Sequence, residues 1–401
     1  MPRVLRIINR LNLGGPTYNA AYLSRYLAPE FETMLVAGIK EDTEESSEFI
    51  VRQMGLSPVY IPEMRREIRF GNDRIAYLKI KKLIKEFRPD IVHTHAAKAG
   101  TLGRLAAHHC GVPVILHTFH GHVFHSYFNP LKTAVFKQIE RYLSSISSKV
   151  IAISDIQKDE LVLEHKVIPA AKAEVIPLGF DLDRFMTDQE QKRDTFRKQY
   201  ALEPDVLAIG IIGRLVHVKN HPLFIDAVAG LKNKTHKKFR AFIIGDGEDR
   251  ESLIALARSR NLSVSTPSAP LNDADVVFTS WIIDIDRALA GLDLVAMTSL
   301  NEGTPVSLIE AQAAGKPVIS TEVGGIGNVV LPGVSALLSP SADLPSFTQN
   351  LILLTEDDGL RSRMSGAGIQ HVKNHFAYQR LVEDMRTLYR RLLSETKITG
   401  L

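Results

Sequence analysis

Asn301-Glu302-Gly303-Thr304-Pro305-Val306-Ser307, with Glu310 just beyond, gathers the densest set of chemically useful groups in this 401-residue chain. Thr304 can cap a helix opening on Pro305, a residue suited to a first helical turn. The backbone around 305–308, opening on Pro305, would then point the unpaired amides of Val306, Ser307 and the next residue, with the positive end of a helix dipole, outward. Such an end favours a diphosphate. Glu302 precedes the cap and Glu310 lies about two turns further on. At that separation the carboxylates cannot share a proton, so a catalytic dyad is not expected. Each could instead accept hydrogen bonds from hydroxyls at opposite ends of an extended ligand. The plainer alternative is a capped helix with an incidental buried glutamate. Gly324-Gly325, after the next apolar run, supplies another turn open to close approach.

Gly210 and Gly213 close an earlier strand, followed by Arg214 and Lys219. Arginine offers a planar fork and lysine a point charge, two ways to hold a phosphate. Two solvated loop cations are the alternative. Leu13-Gly14-Gly15-Pro16 repeats the strand-to-helix turn near the N-terminus without the G-x-G-x-x-G spacing of a dinucleotide site. Six histidines cluster at 93, 95, 117, 120, 122 and 125, and strand alternation puts His93 and His95 on one face. No carboxylate joins them, so hydrogen-bonded or ligand-facing histidines are expected rather than zinc. A divalent metal would need an Asp-x-Asp pair at a strand end beside the phosphates. The triplet at 181–183 falls in the expected hinge region and those at 273–275 and 284–286 are expected to precede or start helices, so no metal and no cofactor is expected.

These groups need a frame, and the hydropathy pattern describes one. Apolar runs of four to seven residues alternate with longer amphipathic stretches. The runs are 4–9, 33–38, 90–95, 112–117 and 149–154, then 206–213, 240–245, 275–279, 292–298 and 316–320. Amphipathic stretches at 18–28, 72–87 and 378–395 read as helices. The expectation is an α/β chain of two doubly wound Rossmann-like domains facing a cleft. Residues 1–182 would form the first domain, 183–376 the second, and 377–401 a helix returning to the first.

Composition agrees. Charged residues make up 23% and hydrophobic ones 45%, which excludes a disordered chain. A net charge of +4 gives no reason to expect nucleic acid as a partner. One cysteine, Cys110, excludes an intrachain disulfide. Arg6 and Arg10 interrupt any leader-like core and no run is long enough to span a membrane, so a cytoplasmic protein is expected.

The combination GRLxxxKN (213–220), GDGE (245–248) and Glu302-x7-Glu310 closely resembles the group 1 retaining glycosyltransferases of GT-B fold. Gly14-Gly15, AIS at 152–154 and IPLGFD at 176–181 agree in order and spacing, so the likeness covers almost the whole chain. HTHAAKAG (93–100) and HTFHGHVF (117–124) look like bacterial members that build surface polysaccharides. The resemblance implies that Arg214 and Lys219 hold a donor diphosphate and that Glu310 holds ribose hydroxyls. Glu302 and the Gly303–Thr304 backbone would hold the donor sugar, and Gly213, Pro305, Val306 and Ser307 would also belong to the donor site. It implies Gly15 near the phosphates, His120 at the reaction centre, and His95, Lys98 and His122 on the acceptor side. Thr279-Ser280-Trp281 departs from the glycine-containing loop that such relatives carry beside the nucleobase.

The implied activity is transfer of a sugar from a nucleotide-diphosphate sugar, a UDP-sugar by default, to a hydroxyl of a glycan or polyprenyl-linked acceptor. A nucleotide-sugar epimerase of the same fold and a non-catalytic nucleotide-sugar sensor are the alternatives. Residues 63–88 hold nine Lys/Arg against four acids, and 123–137 is rich in apolar and aromatic residues. Both suggest peripheral contact with the inner face of a membrane.

Overall fold

The computed structural model describes residues 1–11, 15–39, 48–65, 67, 69–121 and 130–398. The chain divides into two compact units, 1–180 with 376–401, and 181–375.

The first unit is built on seven parallel strands: β1 (Arg3–Ile8), β2 (Glu32–Gly38), β3 (Val59–Ile61), β4 (Ile91–His95), β5 (Val114–Thr118), β6 (Lys149–Ala152) and β7 (Ala173–Val175). Their order is β3-β2-β1-β4-β5-β6-β7. Every residue of β4 and β5 is buried, because helices cover both faces of the sheet. Alternation still sorts the side chains. Leu5, Ile7 and Val92 pack under the helices Phe70–Phe87 and Ala97–His109. Val4, Ile91 and Val114 meet the helix Gly15–Tyr26 and the C-terminal helix Tyr378–Ile398.

That last helix is tied to the unit by the chain entering it. Phe180 and Ala377 form a parallel bridge, and the Phe180 amide donates to the Phe376 carbonyl at 2.7 Å. Arg380 donates to the carbonyls of Pro177 and Leu178 at 2.7 and 2.8 Å. The units therefore part after Phe180 and again before Phe376, not at 182 and 376, because both ends of the bridge stay with the first sheet.

The second unit repeats the plan with β8 (Leu207–Ile212), β9 (Phe239–Ile244), β10 (Val264–Ser265), β11 (Val276–Ser280), β12 (Leu294–Met297), β13 (Val318–Thr321) and β14 (Ala336–Ser339). The order is β10-β11-β9-β8-β12-β13-β14, all parallel. Strand order reverses between β1 and β4 in one sheet and between β8 and β12 in the other. Ligands of open parallel sheets bind beyond the strand ends at such reversals.

Candidate active site

In the second unit the reversal lies between the loop after β8 and the loop after β12. Lys219 ends the short 3-10 turn His217–Lys219, and Asn220 then takes a left-handed φ of 49° before the helix His221–Lys232. Two bonds tie this loop to the one after β12. The Leu300 amide donates to the Val218 carbonyl at 2.8 Å, and Thr298 Oγ1 donates to the Lys219 carbonyl at 2.9 Å. The Lys219 ammonium thereby reaches Glu302, with Nζ 2.5 Å from Oε1. Ser299 Oγ donates to the same oxygen at 2.6 Å. Two residues 83 positions apart thus form one ion pair at the strand ends. Arg214, the residue after Gly213, is exposed and forms no ion pair among the described residues.

The backbone of Glu302 and Gly303 is held from below. The Gly325 amide donates to the Glu302 carbonyl at 2.9 Å. A Cβ at Gly325 would stand 1.7 Å from the Gly303 carbonyl oxygen, so only glycine permits this contact. Gly325→Ala should therefore displace the Glu302–Gly303 segment. A drop in kcat with little change in melting temperature is expected, read by initial rates and calorimetry.

The next helix departs from the sequence expectation. Thr304 does not cap it: the helix runs Val306–Ala313, Pro305 is the residue before it, and no side chain accepts from its first turn. Pro305 contributes a ψ of 89° and lacks a donor of its own. The amides of Val306 and Ser307 have no helical acceptor, since the first bond inside is Leu308 to the Pro305 carbonyl at 3.1 Å. The helix end is thus open to an anion, by a different cap than expected.

Glu310 lies on this helix with its side chain 19% exposed, 3.6 Å from Arg184. Burial pushes its carboxyl up to about 7, with Arg184 pulling the other way and Asp286 adding to the rise. Gly213 leads out of β8, and its amide donates to the Ile244 carbonyl at 3.0 Å. Ser280 of the Thr279-Ser280-Trp281 stretch adopts φ 60°, a left-handed conformation rare outside glycine, and accepts from Arg250 at 3.0 Å. Trp281 follows it, 58% exposed.

In the first unit, Gly15 opens the helix Gly15–Tyr26, where a Cβ would come within 3.0 Å of Leu178. His93, His95 and His117 are buried on β4 and β5, and their imidazoles are held well below the usual histidine range, first by burial. His120 follows β5, with burial taking it to about 3. His95 Nδ1 lies 3.0 Å from His120 Nε2, and the two rings stack at 5.2 Å. His95 is completely buried with both nitrogens engaged. Neither nitrogen therefore faces an acceptor surface. Lys98 is also committed, to Asp73 at 2.7 Å and to the Glu67 carbonyl. His122, Gly14 and the 123–129 part of the apolar segment lie outside the described residues.

Sequence reasoning missed Arg6, Tyr389, Ser299 and Arg184. Arg6 was legible as a charge in the middle of an apolar strand, which demands buried partners. Tyr389 and Arg184 depend on chain segments far apart in sequence and left no local signal, whereas Ser299 stands only three residues before its partner Glu302. Among the described residues no three His, Cys, Asp or Glu side chains converge as metal ligands. The triplet 273–275 leads into β11 and not into a helix; Asp275 accepts from Lys232 at 2.8 Å.

The chain matches two family models, glycosyl transferases group 1 over residues 192–371 and glycosyltransferase family 4 over 13–184. It is 30% identical over 332 residues to the UDP-Gal:alpha-D-GlcNAc-diphosphoundecaprenol alpha-1,3-galactosyltransferase of Escherichia coli, covering 82% of each chain. It is 24% identical to the capsular polysaccharide biosynthesis glycosyltransferase CapM of Staphylococcus aureus, over 84% of this chain and 86% of that one. Among solved structures, Anabaena Alr3699/HepE in complex with UDP superposes with a TM-score of 0.78 at 18% identity, over 97% of this chain and all of the other. That likeness is one of fold, and both units take part in it.

Proposed function

The chain belongs to the group 1 glycosyltransferases, and we propose that it moves a sugar from a UDP-sugar to a hydroxyl of a glycan or polyprenyl-linked acceptor, retaining anomeric configuration. The observation that carries this reading is the Lys219–Glu302 pair beside an uncapped helix end at the strand reversal of the second unit. Lys219, Arg214 and the Val306 and Ser307 amides are assigned to the diphosphate. Glu302, Gly303 and Thr304 are assigned to the donor sugar, and Glu310 to the ribose. The E. coli relative's donor, UDP-Gal, and its diphosphoundecaprenol acceptor favour a UDP-sugar and a lipid-linked acceptor here.

In the reaction, the acceptor oxygen bonds to the anomeric carbon as the bond from that carbon to the β-phosphate oxygen breaks. The bonding electrons leave with the nucleoside diphosphate, on the face where the acceptor enters, and a phosphate oxygen takes the hydroxyl proton. Charge therefore builds on the β-phosphate, where preorganised donors lower the barrier. Each charge-assisted contact contributes about 1.5–3 kcal/mol. No metal is assigned a part, so turnover should survive a chelator. The test is nucleotide release from UDP-, GDP- and ADP-sugars, with and without polyprenyl diphosphate-sugar acceptors, with NMR of the product anomer. Acceptor-dependent UDP release with retention is expected. Acceptor-independent conversion of the donor would indicate an epimerase, and tight binding without turnover a sensor.

A lipid-linked acceptor calls for a membrane-facing surface, which we assign to the first unit. On the helix Phe70–Phe87, Phe70 is 90% exposed, with Ile75 and Leu78 exposed along the same side as Arg74, Lys82 and Lys85. On Pro130–Ser145, Val135, Ile139 and Tyr142 form an exposed stripe at i, i+4 and i+7. Cations beside apolar side chains suit an anionic leaflet, at about 1 kcal/mol per cation. No described helix is long and apolar enough to cross a membrane, so this contact is peripheral. Flotation should show binding to anionic but not neutral vesicles, weakened by salt, by Lys82→Glu with Lys85→Glu, and by Phe70→Ser. Protein left in the soluble fraction with anionic vesicles at low salt would favour a soluble acceptor.

A further inference from the structure

Arg6 is completely buried on β1, and its guanidinium meets Ser24, His93, His95 and Tyr389, with no carboxylate among them. Arginine has donors only. Its Nη1 lies 3.2 Å from His95 Nε2, so that nitrogen accepts and the His95 proton sits on Nδ1. His95 Nδ1 is 3.0 Å from His120 Nε2, which must accept in turn and leaves the His120 proton on Nδ1. That Nδ1 is buried and has no partner among the described residues. On the other side, Nη1 is 3.0 Å from His93 Nδ1. His93 therefore carries its proton on Nε2, 2.7 Å from Thr118 Oγ1. One cation dictates opposite tautomers for two histidines that share a strand face.

We propose that Arg6 and His95 are positioning residues that hold His120 neutral in its Nδ1–H tautomer, so that this free N–H stands as a fixed donor to a substrate oxygen at the end of the first sheet. The proposal deepens the sugar-transfer reading and rests on it. A buried N–H without a partner is costly and uncommon, and it persists where a ligand can complete it. Among the described residues, the groups facing the imidazoles supply no negative charge. They are Arg6 from β1, Thr94 from β4, Thr118 from β5 and Tyr389 from the C-terminal helix, whose hydroxyl lies 2.7 Å from His93 Nδ1. Arg104, near His117, is matched by Glu140 in two bonds of 2.6 and 2.9 Å. Arg6 has no such match among the described residues. Protonating any of these rings would bury a second cation beside it. Ring stacking of His93 on His95 at 4.4 Å further restricts rotation.

The decisive measurement is long-range proton–nitrogen NMR of the full chain labelled with 15N-histidine, with signals assigned through His95→Gln and His120→Gln. His95 and His120 should appear as Nδ1–H tautomers and His93 as Nε2–H, none of them titrating between pH 5.5 and 8. A His120 signal of the Nε2–H form, or one that titrates in that range, overturns the proposal. Arg6→Met should lower kcat by about ten- to a hundredfold, with donor KM little changed. Arg6→Lys, which keeps a donor and the charge, should restore most of the rate. Equal losses in both variants, with the His120 tautomer unchanged, would refute the positioning role. If Arg6→Met does not fold, the wild-type spectrum still decides. The spectrum needs no turnover, so failure of wild-type nucleotide release would count against sugar transfer separately.

Discussion

Lys219→Ala is expected to lower kcat/KM about a hundredfold, and adding Glu302→Ala to it is expected to lower it little further. Lys219 and Glu302 act as a unit, since the ammonium sits 2.5 Å from the carboxylate that Ser299 also holds. Removing the lysine takes one charge-assisted contact from the leaving diphosphate, worth about 1.5–3 kcal/mol or roughly ten- to 150-fold. It also leaves the Glu302 carboxylate, 11% exposed, facing an anionic ligand without its counter-charge. Glu302→Ala alone should act mainly on kcat. In the double variant the stranded carboxylate is gone, so the losses should fall well short of additive. Arg214 has no ion pair with Glu302, so Arg214→Ala should cost about tenfold and combine additively with Glu302→Ala. A double-mutant cycle on kcat/KM decides the matter: additive Lys219 and Glu302 effects would show that the pair is not the working unit.

Glu310→Gln should weaken binding of bare UDP by about tenfold and remove a pH dependence that the wild type shows. Burial raises the Glu310 carboxyl to about 7. The group is thus largely protonated at pH 5.5 and ionised at pH 8. Ribose hydroxyls donate to the ionised form, so binding should release a proton, and affinity should rise from pH 5.5 and level off above about 7. The sign for folding is the opposite. A carboxyl raised above its unfolded value binds protons more tightly when native, so its contribution to stability declines as pH rises from about 4.5 through 7. The UDP phosphate also titrates near 6, so the informative quantity is the difference between wild type and Glu310→Gln. Calorimetry in buffers of different ionisation enthalpy measures it directly. Identical pH curves for the two proteins, or unchanged UDP affinity in the variant, would remove Glu310 from the ribose site.

Ten strands were legible as apolar runs, and the four that were not are β3, β7, β10 and β14, the outer strands of the two sheets. A central parallel strand is covered on both faces and flanked on both sides, so its residues are apolar almost without break, as in β5. An edge strand has one neighbour and needs only partial cover. β7 is three residues of intermediate burial, and β10 is two residues long. Composition cannot distinguish these from loops.

The candidate site divides in a similar way. Glycine turns, cations after a strand and the Glu302-to-Glu310 spacing are local features, because a strand-to-helix turn that exposes amides needs particular residues at adjacent positions. The amino-acid sequence therefore determined the doubly wound class of both units and which short segments stand at their strand ends. It did not determine partnership. Lys219 meets Glu302 across 83 residues, and Arg6 meets Tyr389 across 383. Neither pairing leaves a periodicity, since each arises from strand order and from a C-terminal helix bridged to Phe180. Tertiary structure alone decided that Lys219 would be paired with Glu302, that Pro305 would replace Thr304 before the helix, and that His95 would be buried between Arg6 and His120. Each outcome depends on which charges and carbonyls are brought within about 3 Å of one another, and hydrogen bonds and ion pairs act only at that range.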